Sequence, residues 1–185
     1  MASSKRELLL TTAQDLFYRE GYHATGIDRI LAESGVAKMT LYKHFKSKDE
    51  LIMAALEERH ARMVERMEVA GRILAPRESI LAIFDGLQEV LDSPDFCGCA
   101  FIHAAGEFHN REHPIHQQAA EHKAFLGRFF AAQLMRLGAA EPEALARQLQ
   151  YLLEGVLVMA HMQGPAQQGR EARAMADTLL KHAGV

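Results

Sequence analysis

Apolar residues recur at helical spacing along nearly the whole chain, and this periodicity limits the possible folds more than any other feature. In the first segment they fall at positions 9, 13, 16 and 17, and Gly21 follows where a helix C-cap is expected. Nowhere do four or more β-branched or aromatic residues alternate with polar ones between turn signals. The sequence therefore predicts an all-α protein.

Glycines and prolines divide this pattern into separate helices. The first 75 residues contain no proline, so the breaks there fall at glycines, whereas prolines mark most of the later breaks. Thr25 is expected to cap the second helix, and Ser47 with Glu50 to form a capping box at the start of the fourth. The predicted helices cover residues 6–20, 26–34, 38–44, 48–71, 76–92, 96–109, 113–137, 142–163 and 168–183.

Composition and charge restrict the class of protein. The chain has 185 residues, of which 49% are hydrophobic and 24% charged, as is typical of a globular protein with a packed core. Residues 1–48 hold eight Lys or Arg against five Asp or Glu, a net +3, so the rest of a chain with net charge −3 carries −6. A basic N-terminal segment favours contact with a polyanion.

Several other classes of protein are not predicted. No apolar stretch approaches the roughly 18 residues of a membrane span, and residues 1–10 lack the pattern of a signal peptide, so a cytoplasmic protein is expected. No nucleophile elbow, phosphate loop or dinucleotide fingerprint is present, and only Glu57 with His60 has the spacing of a di-iron ligand pair within one helix. The sequence therefore predicts neither an enzyme nor a cofactor.

The second and third helices are joined by a short glycine-containing turn, and the third carries exposed polar side chains. This arrangement predicts a helix-turn-helix that binds DNA in the major groove. A lysine there can donate to guanine, and a methionine or threonine methyl can pack on the methyl group of thymine. The expected base-contacting residues are Lys38, Met39 and Thr40. The expected phosphate-contacting residues, farther along, are Tyr42, His44 and Lys48.

Residues 5–55 resemble the DNA-binding domain of the TetR (tetracycline repressor) family of bacterial transcription regulators. The resemblance rests on the segments ATGI at 24–27, ILAESGV at 30–36 and TLYKHFKSKDEL at 40–51. It implies a two-fold dimer, a palindromic double-stranded DNA operator, and a divergent helical C-terminal domain that binds an inducer. It also implies phosphate contacts from Thr25, Tyr42, His44 and Lys48, and a base-contacting face of Lys38, Met39, Thr40 and Lys43.

The chain departs from the usual pattern of that family at three positions. Ala37 stands where a serine or threonine usually caps the third helix, Met39 where a small residue is frequent, and Gly26 where a hydroxyl residue is usual. The domains expected from the whole pattern are a helix-turn-helix DNA-binding domain at 1–47 and a larger helical domain at 48–185. The larger domain is expected to bind the effector and to dimerise.

The larger domain contains candidate residues for both of these roles. Aromatic and methionine side chains are expected to line an apolar effector pocket, with one histidine and one glutamate as polar anchors. These pocket candidates are Met63, Phe84, Phe101, His103, Glu107, Phe125, Phe129 and Met159. Apolar stripes on the last two helices are expected to build a four-helix bundle with a second subunit, or simply to pack on the rest of the domain. The dimerisation candidates are Leu149, Leu152, Val156, Met175 and Leu179.

Taken together, these features predict a ligand-responsive, sequence-specific DNA-binding regulator. A repressor that a small-molecule effector releases from its operator is favoured. Two alternatives stay open. One is a metal- or thiol-sensing regulator that uses Cys97, Cys99 and His103, since Cys99, His103 and Glu107 are expected to share one helix face. The other is a helical adaptor that does not bind DNA.

Overall fold

The computed structural model describes residues 4–185, which form nine α-helices and no strand. The all-α prediction is therefore confirmed for this range. None of these helices is long and apolar enough to cross a membrane. In chain order the helices are α1 (Lys5–Glu20), α2 (Ile27–Ser34), α3 (Lys38–His44), α4 (Lys48–Ile73), α5 (Pro76–Leu91), α6 (Ala100–Glu107), α7 (Pro114–Leu137), α8 (Pro142–Gln163) and α9 (Gln168–His182).

Local capping explains where several helices begin. Ser4 and Glu7 form a complete capping box at the start of α1, with each side chain bonded to the other residue's backbone N–H. The box expected at the start of α4 is only half formed: the Ser47 hydroxyl accepts from the Glu50 N–H, but the Glu50 carboxylate reaches the N–H of Lys46. Prolines open α5, α7 and α8, where a missing N–H costs nothing.

The predicted helix ends agree with the structure to within one or two residues except at the start of α6, and the predicted Thr25 cap is wrong. Thr25 does not cap α2, because Gly26 occupies the N-cap position and provides no side-chain hydrogen bond. α6 is shorter than its predicted range of 96–109, because the chain around Gly98 adopts a left-handed conformation with φ of 95° and the helix starts only at Ala100.

The chain forms two compact units whose limits differ from the predicted domain boundary at 47/48. Unit 1 takes in the chain as far as Arg62 together with Ala100–His122, and unit 2 consists of Met63–Cys99 and Lys123–Val185. The helix-turn-helix therefore shares its unit with the first part of α4, with α6 and with the first part of α7.

Each unit has its own apolar core. In unit 1 the inner face of α1 packs on α2 and α3. The buried side chains there include Leu9, Leu16, Phe17, Ile30, Leu41 and Phe45. In unit 2, α5 and α8 pack along α9, and Phe84 stacks on Phe130 with 6.2 Å between ring centroids. Burying one such large apolar side chain contributes about 1.5–3 kcal/mol, so these contacts fix the helices relative to one another within each unit.

Candidate nucleic-acid interface

Helix α3 turns one side to the core of unit 1 and the other to solvent. Leu41 is completely buried, whereas Met39 is 83% exposed and Tyr42 43% exposed. Lys38 and Lys43 are exposed as well, while Thr40 and His44 are half-buried. Met39, Thr40, Tyr42 and Lys43 line an open surface depression. Six of the seven residues of α3 thus have side chains that are at least partly accessible to solvent. The seventh, Leu41, is buried and anchors the helix.

The turn before α3 fixes the angle at which that face is presented. α2 ends at Ser34, and Gly35 takes the left-handed conformation, with φ of 66°, that a residue with a side chain adopts only at a cost. Val36 is buried, and Ala37 precedes α3 without any side-chain cap. The missing cap agrees with the departure from the family pattern noted above.

Ion pairs engage the basic groups next to α3. Lys38 Nζ lies 3.2 Å from an Asp28 carboxylate oxygen, and both side chains are exposed. Arg29 pairs with Glu33 at 2.7 Å and with Glu20 at 3.1 Å. Hydrogen bonding between them raises the pKa of Arg29 and lowers that of Glu33. Exposed pairs of this kind contribute little stability, so Lys38 can separate from Asp28 at small cost.

The residues expected to contact phosphate differ in their surroundings. Tyr42 is exposed and His44 half-buried, with its ring beside that of Phe45. Lys48, the first residue of α4, donates from Nζ to the carbonyl oxygen of His23 at 3.1 Å. Burial lowers the pKa of Lys48, and nearby carboxylates only partly oppose this shift. Lys48 is therefore held against the α1–α2 turn.

Thr25 does not have the exposed hydroxyl that a phosphate contact from its side chain needs. The residue is 0% exposed, and its hydroxyl donates to the carbonyl oxygen of Gly21 at 2.7 Å. The side chain secures the turn after α1 and faces the protein interior. The prediction of a phosphate contact from this hydroxyl is wrong for this conformation.

The candidates for the effector pocket divide between the two units. Phe101, His103 and Glu107 belong to unit 1, and the other five belong to unit 2. In unit 1, Phe101 stacks on His122 with 3.3 Å between ring centroids, and His122 Nδ1 lies 3.1 Å from His60 Nδ1. In unit 2, the candidates range from complete burial at Phe84, through half-burial at Met63, Phe125 and Phe129, to 44% exposure at Met159.

Glu107 was predicted to anchor an effector, but its carboxylate is occupied by backbone amides. Its two oxygens accept hydrogen bonds from the N–H groups of Tyr22 and His23. Helical spacing does not reveal these contacts, because the partners lie 85 and 84 residues away in the sequence. The contact places Glu107 at the turn between α1 and α2, next to the helix-turn-helix.

The proposed Cys–His–Glu face does not form. Cys99 precedes α6 and belongs to unit 2, whereas His103 and Glu107 belong to unit 1. The Cys99 thiol lies 3.3 Å from Lys123 Nζ, which also pairs with Glu154 at 2.7 Å. Across residues 4–185, no group of three or more His, Cys, Asp or Glu side chains is placed to hold a metal ion.

The dimerisation candidates range from buried to exposed. Leu149 is 0% exposed in the core of unit 2, so it cannot touch a partner in this conformation. Leu152, Val156 and Leu179 are half-buried, and Met175 is 56% exposed. Sequence reasoning missed the outer stripe of α8, whose apolar members are Tyr151, Val158, Met159 and Met162. In the sequence this stripe is visible as a second set of apolar residues, at 151, 158, 159 and 162 with Gly155 between them. At helical spacing these positions lie on a different side of α8 from the row of leucines.

A three-helix domain that buries one side of its third helix and exposes the other is a helix-turn-helix domain of the DNA-binding type. The model of the tetR family of bacterial regulatory proteins matches residues 9–55. A TetR-family transcriptional regulator from Streptomyces coelicolor has a TM-score of 0.93 to this chain at 30% identity, covering 98% of this chain and 96% of that one. A TetR-type regulator from Streptomyces avermitilis has a TM-score of 0.86 at 34% identity, covering 99% and 100%.

The similarity to curated protein sequences covers a smaller part of the chain. The transcriptional activator FasR of Mycolicibacterium smegmatis is 36% identical over 89 residues, which are 45% of this chain and 41% of FasR. The chain thus covers less than half of the length of FasR, and 19% and 27% of two Bacillus subtilis regulators, YerO and YxaF. The two Streptomyces structures match this chain over nearly its whole length. The chain belongs to the TetR family of transcriptional regulators.

Proposed function

We propose that this protein is a dimeric repressor that binds a palindromic operator and releases it when a small molecule binds. The observation that carries the proposal is the exposed face of α3, which holds Lys38, Met39, Tyr42 and Lys43 on a helix anchored by a completely buried leucine. Nothing in the packing of unit 1 requires an exposed methionine there, whereas the major groove offers it a partner. Such a regulator acts on the bacterial chromosome, so its place is the cytoplasm.

The residues of the interface divide by chemistry. Lys38, Met39, Thr40 and Lys43 are assigned to base recognition, since ammonium groups donate to guanine and methyl groups pack on thymine. Tyr42, His44 and Lys48 are assigned to phosphate contacts, which position the domain on the duplex without reading sequence. The hydrogen bond of Lys48 to His23 supports a positioning role, because it ties this ammonium to the turn before α2.

The dimer is assigned to the outer face of α8 and the exposed part of α9. Tyr151, Val158, Met159 and Met162 share one side of α8, and Gly155 between them permits close approach of a second helix. Met175 adds an exposed apolar side chain from α9. An exposed row of this length is typical of a surface that a second subunit covers.

Effector binding is assigned to the apolar pocket candidates of unit 2, which are Met63, Phe84, Phe125, Phe129 and Met159. A ligand changes DNA affinity only by binding one spacing of the two DNA-binding domains better than another. Helix α4 contributes residues to both compact units, so a tilt of this helix is a direct route for that change. The name of FasR describes an activator. A repressor is nevertheless favoured here because occupying an operator requires no further partner surface.

Selection from a random duplex library by the purified, ligand-free protein tests the function. Enrichment of an inverted repeat, with affinity that falls steeply as salt rises, is expected for a dimer that neutralises several phosphates. Tyr42→Phe should weaken all selected sites nearly alike, whereas Lys38→Ala should relax preference at particular base pairs. A helical adaptor would enrich no duplex and show no salt-dependent binding, and that result would overturn the proposal.

A further inference from the structure

The last residue of α6 holds the turn between α1 and α2. Glu107 Oε1 accepts a hydrogen bond from the Tyr22 N–H at 2.8 Å, and Glu107 Oε2 accepts one from the His23 N–H at 2.6 Å. Bonds from a carboxylate to neutral amides are charge-assisted and stronger than ordinary backbone bonds. Because the two amides are consecutive, the pair of bonds fixes both the position and the direction of the turn.

Further contacts tie the same two residues to α6. The ring nitrogen Nε2 of His23 lies 3.0 Å from the carbonyl oxygen of Glu107, and the ring packs on Phe108 with 4.7 Å between centroids. The hydroxyl of Tyr22, a buried residue, donates to the carbonyl oxygen of Ala100 at 3.0 Å. Ala100 and Glu107 are the first and last residues of α6, so both ends of this helix contact one dipeptide.

Gly21 leaves the space that the carboxylate occupies. It adopts φ of 89°, which side chains rarely tolerate, and a Cβ on it would lie 3.2 Å from Glu107 Oε1. The turn is therefore open on the side from which Glu107 approaches, and a larger residue there would push the carboxylate away from the two amides.

The turn is held from a second side by α4. Lys48 Nζ donates to the His23 carbonyl oxygen, while Glu107 binds the N–H of the same residue. α6 and α4 thus grip the His23 residue from two directions. α2 begins at Ile27, only four residues beyond His23. Because this segment is so short, a displacement of the turn should also displace α2.

We infer that Glu107 is a positioning residue that couples α6 directly to the DNA-binding helices. A movement of α6 is carried through its carboxylate to the α1–α2 turn, and from there to α2 and α3, in addition to any tilt of α4. The consequence for DNA rests on the proposed function. The hydrogen bonds from Glu107 to the turn do not depend on that function, so the coupling and the proposed function can be disproved separately.

Three variants test the coupling. Glu107→Ala removes the carboxylate, whereas Glu107→Gln keeps its shape and one acceptor oxygen but turns an NH2 group toward the second amide. Glu112→Gln removes the same charge from an exposed side chain five residues away and serves as the matched control. Should the alanine variant fail to fold, the glutamine variant carries the test.

Amide hydrogen exchange of the free protein, resolved by residue, measures how strongly Glu107 protects the amides of the turn when no DNA is bound. In Glu107→Ala the Tyr22 and His23 amides should exchange about tenfold to a hundredfold faster, because each loses a bond to a charged group. Glu107→Gln should fall between Glu107→Ala and the unaltered protein, and Glu112→Gln should match the latter. α5 and α9 of unit 2 should be unaffected. Unchanged exchange at Tyr22 and His23 would overturn the inference.

Operators whose half-sites are moved apart or together by one base pair measure the consequence at DNA. The unaltered protein should prefer one spacing, and Glu107→Ala should lose most of that preference, by about tenfold, because its DNA-binding helices are less firmly placed. A merely destabilising substitution would weaken all spacings alike and leave their ranking intact, which would overturn the inference. If the unaltered protein binds no inverted repeat, the proposed function fails, and the exchange rates alone decide the role of Glu107.

Discussion

Met39 is 83% exposed, more than any other large apolar side chain among residues 4–185. It lies in the second position of α3, where a side chain can enter the major groove. Its exposure contributes nothing to the core of unit 1, so the folded protein does not depend on it. Its thioether and methyl group gain a partner only when a surface with apolar groups, such as thymine methyls, approaches.

Replacing Met39 with alanine should separate binding from stability. The free energy of unfolding should change by less than about 0.5 kcal/mol, because the side chain is exposed. Binding to the selected operator should weaken by about 1–2 kcal/mol through loss of buried CH2 and methyl contacts, and preference should fall at one base pair only. Urea unfolding and competition with single-base operator variants measure the two quantities. Met39→Leu, which remains apolar, should retain the preference; equal loss in both variants would contradict a methyl contact.

Asp177 in α9 is one of the charged side chains that link two helices of unit 2. It pairs with Lys181 at 2.6 Å on its own helix and with Arg77 of α5 at 2.7 Å. Hydrogen bonds from Lys181 and then Arg77 lower the pKa of Asp177 from its ordinary value of 3.8. The folded state therefore favours the ionised carboxylate, and the unfolded state binds the proton more tightly.

This sign predicts how the contribution of Asp177 depends on pH. The stabilisation should be fully present above pH 3.8 and should be lost as the pH falls through the lower pKa of the folded state. Asp177→Asn should therefore unfold at lower urea concentration than the unaltered protein at pH 7, and the difference should shrink in acid. Asp95→Asn, which alters an exposed carboxylate of the same unit, should show little difference at any pH. A difference for Asp177→Asn that stays constant from pH 7 to pH 3 would exclude the ion pairs as its source.

Helices α5 and α9 approach each other closely at one glycine. A Cβ on Gly169 would lie 2.8 Å from the backbone Cα of Gln88 in α5, closer than real Cβ contacts allow. Gln88 in turn uses its side chain to bind the Ala166 carbonyl and the Arg170 N–H at the start of α9. The start of α9 is therefore held against α5 by a glycine contact and by one glutamine.

Gly169→Ala should destabilise the protein by about 1–3 kcal/mol, because the backbone of α5 has to move. The control is Gly86→Ala within α5, where a Cβ would meet nothing within 4 Å. That substitution should stabilise the protein by about 0.5–1 kcal/mol through helix propensity. Thermal and urea unfolding compare the two. A neutral Gly169→Ala would show that α5 and α9 can separate at no cost.

Most of the helices could be predicted from the sequence because the signals that begin and end them are local. Both ends of α3 were predicted correctly, because the glycine turn at Gly35 that precedes the helix lies close to it in the sequence. α6 was predicted too long, because the apolar run from residue 96 continues through a bend at Gly98 that periodicity does not reveal. The periodic signal also does not separate residues that pack inside the unit from residues that face a partner, and Leu149, a dimerisation candidate, is completely buried.

The candidate interface could be predicted only in part, for a related reason. The exposed residues of α3 follow from their spacing around Leu41, and the structure places them on the accessible side. The roles of Thr25 and Glu107 cannot be derived from their spacing, because a hydroxyl or a carboxylate can bind DNA, a ligand or the protein's own backbone. Their partners decide between these uses, and those of Glu107 are more than 80 residues away in the sequence.

At the scale of the whole molecule, the proposed mechanism requires two subunits. A palindromic operator presents two half-sites about one helical turn apart, and a single α3 can occupy only one of them. The surface offered to a second subunit is the row on α8 at Tyr151, Val158, Met159 and Met162. A stable dimer would be expected to bury about 800 Å² of each subunit, and exposed parts of α9 should contribute to that area.

Introducing a charge at the centre of that row should separate the subunits. Gly155→Glu places a carboxylate where a Cβ meets nothing within 4 Å in the single chain, so folding should be unaffected. In a dimer the charge would be buried without a partner, at a cost of several kcal/mol. Sedimentation velocity at micromolar concentration should show a dimer for the unaltered protein and for Val90→Glu on α5, but a monomer for Gly155→Glu. Operator affinity should fall with the dimer because the two half-sites are then bound independently. A monomeric unaltered protein would contradict the dimer. A dimeric Gly155→Glu variant would show that the interface lies elsewhere.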